Sequence, residues 1–379
     1  MAMRLQLSRW GALTSLGDTE AGFARLCEGA SGLVPAMGAE IAWLSAAEGV
    51  ERVGPVAPVR FAIEAPRGVG LADAALGGAI FDPEGLAVIV ATTAGAMVEG
   101  EPVVGEYVRG EPLSTPRAFF WDARLHNVAD ALAEKLGATG PAFAVSTACT
   151  SGTVAVGIAA DLLRAGRARR VLVVGSDALC RSTLFGFRSL GIYAPERCRP
   201  FDVARQGMNI GEAAAWVLVE RLDAGAGPGA IELLGVGVAT DAQHLTAPDP
   251  AGKGLGRAIR AALGPVDPHE VDHVNAHGTG TQPNDAAEAT LLPGLLPNAL
   301  VSATKGATGH TLGAAGVVEL VLLIQCLRTG VVPPVVGLTQ PIHGVAVSSV
   351  LRRHVQRVGV STNLAFGGHN AAVAIRRLE

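Results

Sequence analysis

Short, nearly continuous apolar runs alternate along the chain with stretches whose apolar positions recur at helical spacing. The runs predict strands over Leu86–Ala91, Ala142–Val145, Val171–Val174, Ala214–Val219, Ile231–Thr240, His273–Ala276, Val358–Ser361 and Ala371–Ile375. The amphipathic stretches predict helices over Asp18–Cys27, Arg124–Leu136, Thr153–Arg164, Lys253–Leu263, Asp285–Leu292 and Gly313–Arg328. This alternation indicates an α/β protein built in layers. Residues 97–123, rich in proline, glycine and charge, read as an irregular loop long enough to cover a site or an interface. Residues 223–230 break both periodicities with glycine and proline, and they mark a hinge that divides the chain into 1–225 and 226–379.

Composition narrows the class. A hydrophobic content of 49% and 49 glycines point to a large core with many tight turns, and scarce aromatics leave small and branched aliphatic side chains to fill it. A net charge of −4 without a basic tail gives no support to nucleic-acid binding. Cys27, Cys149, Cys180, Cys198 and Cys326 are dispersed with no CxxC spacing, which argues against a disulfide framework and against a zinc site. Met1 to Leu16 lacks the apolar block of a signal peptide, and the apolar stretches 86–98 and 317–326 are too short to span a bilayer, so a cytoplasmic protein is expected. Against twenty-seven arginines stand three lysines, which raises the question of whether Lys305 is needed as a compact ammonium.

Four segments carry candidate chemistry. In the first, the apolar run Pro141 to Val145 reads as a buried strand and leads through Ser146-Thr147-Ala148-Cys149-Thr150-Ser151-Gly152 into a helix. A cysteine at such a corner lies near the free N–H groups of a helix start, which favours thiolate over thiol and makes Cys149 a candidate nucleophile. The commoner fate of a lone cysteine is a small buried apolar residue. In the second, His277-Gly278-Thr279-Gly280-Thr281 follows a strand, and the two threonine hydroxyls can hydrogen-bond along an extended substrate; Asn284 or Asp285 is positioned to cap the next helix. An ordinary histidine turn would show the same residues. In the third, Lys305 and His310 precede a Gly/Ala-rich helix bearing Glu319, a fitting partner for a buried ammonium. In the fourth, Phe366-Gly367-Gly368-His369 offers backbone N–H groups that could stabilise an oxyanion, or forms a plain hairpin.

In this order the segments resemble the elongating β-ketoacyl-acyl carrier protein synthases. The resemblance rests on Thr147-Ala-Cys-Thr-Ser-Gly152, Arg199-Pro-Phe-Asp202, His277-Gly-Thr-Gly-Thr281 with Asn284-Asp285, Thr304-Lys305 with Thr308-Gly-His-Thr-Leu-Gly-Ala-Ala-Gly316, and Phe366-Gly-Gly368. It implies the thiolase fold, five layers αβαβα in two pseudo-symmetric halves. It implies that Cys149 accepts an acyl chain from acyl carrier protein. His277 and His310 would stabilise the enolate formed when a malonyl unit loses carbon dioxide, with Lys305 and Glu319 setting local charge. Thr279 and Thr281 would contact the phosphopantetheine arm. Phe366, followed by Gly367, matches a gating aromatic, and the N–H groups of Cys149 and Phe366 would form an oxyanion hole. No redox cofactor and no metal is implied, because the substrates ride on carrier phosphopantetheine. The implied partners are acyl carrier protein, with Arg188 as a docking candidate, and a second subunit, identical or a related non-identical one.

Several positions depart from the family pattern. The glycine-rich first strand finds only a loose match in Leu5 to Gly17, and Leu364-Ala365 replaces Phe-Gly before the gate. These changes point towards specialised polyketide or polyene assembly. The main rival is a catalytically silent partner subunit of the chain-length-factor kind, although such subunits usually lack the cysteine. A degradative thiolase would carry a second cysteine where Phe366-Gly-Gly-His369 stands, and an initiating synthase would carry asparagine where His310 stands.

Overall fold

The computed structural model describes residues 3–35, 52–54, 66–114, 124–222 and 225–379. Ten strands form the body of one large sheet: β1 (Leu5–Thr14), β2 (Leu86–Ala91), β3 (Ala142–Val145), β4 (Arg170–Asp177), β5 (Ala213–Arg221), β6 (Ile231–Thr240), β7 (Val271–Asn275), β8 (Leu300–Ser302), β9 (Val358–Ala365) and β10 (His369–Arg377). Their spatial order is β8-β7-β9-β10-β6-β1-β5-β4-β2-β3. Each half repeats one scheme. The first five strands run 3-2-4-5-1, and the last five run in the same order, with parallel pairs on the outer side and antiparallel pairs on the inner side. The halves join where Leu5–Leu7 of β1 pairs antiparallel with Ile231–Leu233 of β6.

Helices complete five layers. Helix α1 (Thr19–Cys27) packs beside β1; on the outer face of the first half lie α2 (Arg67–Leu76) and α4 (Asn127–Leu136); α7 (Lys253–Leu263), backed by α8 (Gln282–Leu295), covers the second half. Between the halves run α5 (Ser151–Arg164) and α10 (Ala315–Thr329), which pack on both half-sheets and on each other. Their backbones nearly touch. A Cβ on Gly152 would come 2.7 Å from Val317 N, and one on Gly316 would come 2.6 Å from Thr153 N. The segment Leu312–Thr329 is apolar and long enough to cross a membrane, yet it is buried here as the central helix.

The structure alters five expectations. The first strand is present: β1 lies at the centre of the sheet, and a register shift between Leu7 and Arg9 obscures its alternation. Residues Met97–Val108 form a helix, α3, although Pro102 lies inside it; residues 115–123 lie outside the described set. Strand β3 is a sheet edge in which Val145 alone is buried, so Pro141 to Val145 is not a core strand. Two further helices enter unforeseen, α2 and α6 (Arg181–Ser189). Helix α8 begins at Gln282 after Thr281, so Asn284 and Asp285 lie in its first turn and do not cap it. Of the hinge, residues 223 and 224 lie outside the described set.

Candidate active site

Cys149 follows β3 and stands two residues before α5. The corner is tight: Ala148 takes a φ of 54°, a left-handed conformation costly for alanine. Local bonds hold it. Thr147 N–H donates to Ser151 Oγ at 2.8 Å, Ser151 Oγ donates to Ala148 O at 2.6 Å, and Thr150 Oγ1 donates to Thr147 O at 2.6 Å.

His277 lies just past the end of β7. Its N–H and that of Gly278 both donate to the Glu288 carboxylate of α8 at 2.8 Å, and Glu288 also accepts from Thr362 Oγ1 at 3.1 Å and Asn284 Nδ2 at 2.9 Å. Burial pushes Glu288 up to about 7, and its backbone hydrogen bonds act in the opposite direction. Asp285 plays a similar part, accepting from Phe201 N–H at 2.7 Å and Gly280 N–H at 3.2 Å. Reading the sequence missed Glu288; its signal is two acids, three residues apart, on the face of a helix that is otherwise buried.

Lys305 opens a short helix, α9 (Lys305–Thr308), and is 1% exposed; Glu319 on α10 is 2% exposed. The ammonium has three donors and finds three acceptors: the Glu319 carboxylate, His277 O at 2.6 Å and His277 Nδ1 at 3.3 Å. Glu319 accepts in addition from Asn363 Nδ2 at 2.6 Å. Burial raises the Glu319 carboxyl, while Lys305 and Asn363 act the other way.

These bonds fix both imidazoles. Since Lys305 donates to His277 Nδ1, the His277 proton sits on Nε2. Leu312 N–H donates to His310 Nδ1 at 3.1 Å, so His310 is also an Nε2–H tautomer, and that buried Nε2 has no hydrogen-bond partner among the described residues. Burial first, and Lys305 second, hold both histidines well below the usual value, so both are neutral N–H donors. Their rings meet edge to face with centroids 5.3 Å apart.

Cys149, His277, His310, Thr279, Thr281 and Phe366 line one cavity of about 210 Å³. Phe187, Leu190, Ile192 and Met208 supply an apolar wall. The hydroxyls of Thr279 and Thr281 lie 2.8 Å apart, and the Phe366 ring leans on Phe187 with centroids 5.8 Å apart. Three proposed site residues stand back from the cavity. Lys305 and Glu319 lie behind His277, and Gly367 donates its N–H to Leu245 O at 2.7 Å. Cys149 is half-buried, and its desolvation acts against the expected thiolate. Burial pushes the Cys149 thiol up to about 12, and the nearby Lys305 charge offsets this only in part.

A duplicated five-layer fold with cysteine and two histidines in one cavity defines a thiolase-fold condensing enzyme architecture. Residues 69–224 match the β-ketoacyl synthase N-terminal domain and residues 230–339 match the β-ketoacyl synthase C-terminal domain; the chain belongs to the β-ketoacyl synthase family. Among curated relatives, it is 35% identical over 256 residues to nodulation protein E of Rhizobium meliloti, covering 64% of this chain and 63% of that protein. To 3-oxoacyl-[acyl-carrier-protein] synthase 2 of Rhizobium meliloti (strain 1021) it is 35% identical over 284 residues, covering 68% and 66%. The aligned part thus spans slightly under two thirds of these relatives. Among solved structures, the ishigamide ketosynthase/chain length factor superposes with a TM-score of 0.88 at 26% identity over 100% of both chains. The ketosynthase ApeO in complex with its chain length factor ApeC, from Xenorhabdus doucetiae, gives 0.84 at 30% identity over 99% of this chain and 98% of that one.

Proposed function

We propose that the protein is an acting β-ketoacyl-acyl carrier protein synthase, which joins an acyl group held on Cys149 to a malonyl unit with loss of carbon dioxide. The observation that carries this reading is His310 Nε2, a buried N–H donor with no partner among the described residues, on a side chain that lines the same cavity as Cys149. An unpaired buried donor is costly, and a substrate oxygen would satisfy it.

In the first half-reaction Cys149 sulfur attacks the thioester carbonyl, and its proton leaves with the carrier thiol. In the second, the malonyl thioester oxygen accepts from Nε2–H of His277 and His310, carbon dioxide departs, and the enolate carbon attacks the acyl-Cys149 carbonyl. Cys149 leaves as thiolate and takes up one proton. Lys305 and Glu319 hold His277 in its donating tautomer. The backbone N–H groups of Cys149 and Phe366 receive the oxyanion, and Thr279 and Thr281 hold the phosphopantetheine arm. The reading includes acyl carrier protein as partner, a second synthase-like subunit, substrates that need no metal or redox cofactor, and a cytoplasmic setting.

Incubation with an acyl-carrier thioester, followed by intact-protein mass measurement, tests this. Wild type should gain one acyl mass and, on adding malonyl carrier, release a β-ketoacyl product; Cys149→Ala should gain none. A wild type that gains no acyl mass, alone or with its partner subunit, would instead be a silent chain-length partner.

A further inference from the structure

We propose that His369 is a positioning residue for Cys149, acting through Thr150; this rests on the acyl-transfer reading above. Thr150 is fully buried and precedes α5, yet its side chain does not cap that helix. Its hydroxyl instead donates to Thr147 O at 2.6 Å and lies 3.0 Å from Thr147 Oγ1. The third neighbour of that hydroxyl is His369 Nδ1, at 2.8 Å and 219 residues away in the chain. A hydroxyl has a single proton, and a carbonyl oxygen can only accept it. With that proton committed to Thr147 O, Thr150 Oγ1 accepts from His369, so His369 carries its proton on Nδ1. This is the opposite tautomer to those of His277 and His310.

The resulting chain, His369 Nδ1–H to Thr150 Oγ1–H to Thr147 O, closes on the two residues that bracket Ala148 and Cys149. Ala148 is held at a φ of 54°, where an L-residue has a standing tendency to relax. The two bonds made by Ser151 Oγ, one accepted from Thr147 N–H and one donated to Ala148 O, are local to the corner. His369 ties the corner to the opposite half of the molecule. It is the first residue of β10, directly after the Gly367-Gly368 turn that follows Phe366, so one hydrogen bond links the segment carrying the aromatic gate to the segment carrying the nucleophile. Losing it lets Ala148 relax and moves the sulfur off the line to the two Nε2–H donors. Substrate docking, which involves Thr279 and Thr281, is left alone.

The test compares wild type with His369→Ala, His369→Asn and His369→Gln. Asparagine places an amide N–H where Nδ1 stands; glutamine places one nearer Nε2. For acylation of Cys149, His369→Ala and His369→Gln should lower kcat roughly tenfold, the size of one hydrogen bond, with KM unchanged. His369→Asn should recover most of the rate at an unchanged melting temperature. Iodoacetamide alkylation of Cys149, which needs no acyl substrate, should follow the same order, so the brace is testable even if the wild type accepts no acyl group. Equal alkylation in all four proteins, an effect confined to KM, or rescue by glutamine in place of asparagine would overturn the proposal.

Discussion

Lys305 Nζ donates to His277 Nδ1 at 3.3 Å, and the same ammonium binds the Glu319 carboxylate, so one buried ion pair sets the tautomer of an imidazole in the cavity. Removing one partner of such a pair leaves an uncompensated charge. Lys305→Met is expected to lose about 3–5 kcal/mol of stability in urea unfolding. Lys305→Met combined with Glu319→Gln should lose less than the two single changes added together, because the orphaned carboxylate is gone. Strict additivity would mean that the two groups do not act as a pair.

Cys149 reactivity should follow a weak acid. With the thiol pushed up to about 12 by burial, the thiolate fraction grows about tenfold per pH unit through the neutral and mildly alkaline range. Alkylation of Cys149 by iodoacetamide should therefore climb steadily from pH 7 to about 9 without levelling. A plateau near neutrality would restore the thiolate expected from the helix terminus alone. Cys149 should still outpace Cys180, Cys198 and Cys326, which are buried.

The contrast between those two outcomes shows where the sequence was legible. The bounds of β2, β3, β6 and α7 follow directly from their apolar patterns, and the segments bearing Cys149, His277 and His310 do converge. What failed depended on the third dimension. A helix N-terminus is visible in sequence, but the apolar surroundings that push the thiol the other way come from distant residues. Gly100, Pro102 and Gly105 disguised α3 as a loop. The bulge after Leu7 broke the alternation that would have revealed β1. Glu288 was missed because its partners are backbone N–H groups of the neighbouring loop, which have no side-chain signature.

On the proposed reaction, His310 separates the two half-reactions: attack by Cys149 would not need the Nε2–H of His310, whereas the enolate would. His310→Ala should still take up an acyl group, while condensation falls by about 10²–10³-fold, the range for losing one preorganised oxyanion donor. Single-turnover product analysis after preloading the acyl group checks this. Equal loss of both steps would give His310 a role in acylation instead.

His273 gives a stability measurement that is independent of catalysis. It is fully buried on β7, with Nδ1 2.8 Å from Gln356 Oε1 and Nε2 2.8 Å from Ser302 Oγ. The amide oxygen only accepts, so Nδ1 carries the proton and Nε2 accepts from Ser302; the neutral ring satisfies both contacts. Burial pulls its pKa down from 6.5 to about 4, with the Gln356 bond acting the other way. The unfolded chain therefore binds a proton that the folded one refuses between those two values. The contribution of His273 is complete above about 6.5 and is lost as pH falls towards about 4. The difference in unfolding free energy between wild type and His273→Gln should accordingly shrink over that window, by about 3 kcal/mol at most. Taking the difference cancels the other titrating groups that the two proteins share, among them Asp285 and Glu288, whose raised values act with the opposite sign. A difference that stays constant with pH would mean that the ring is protonated inside the fold.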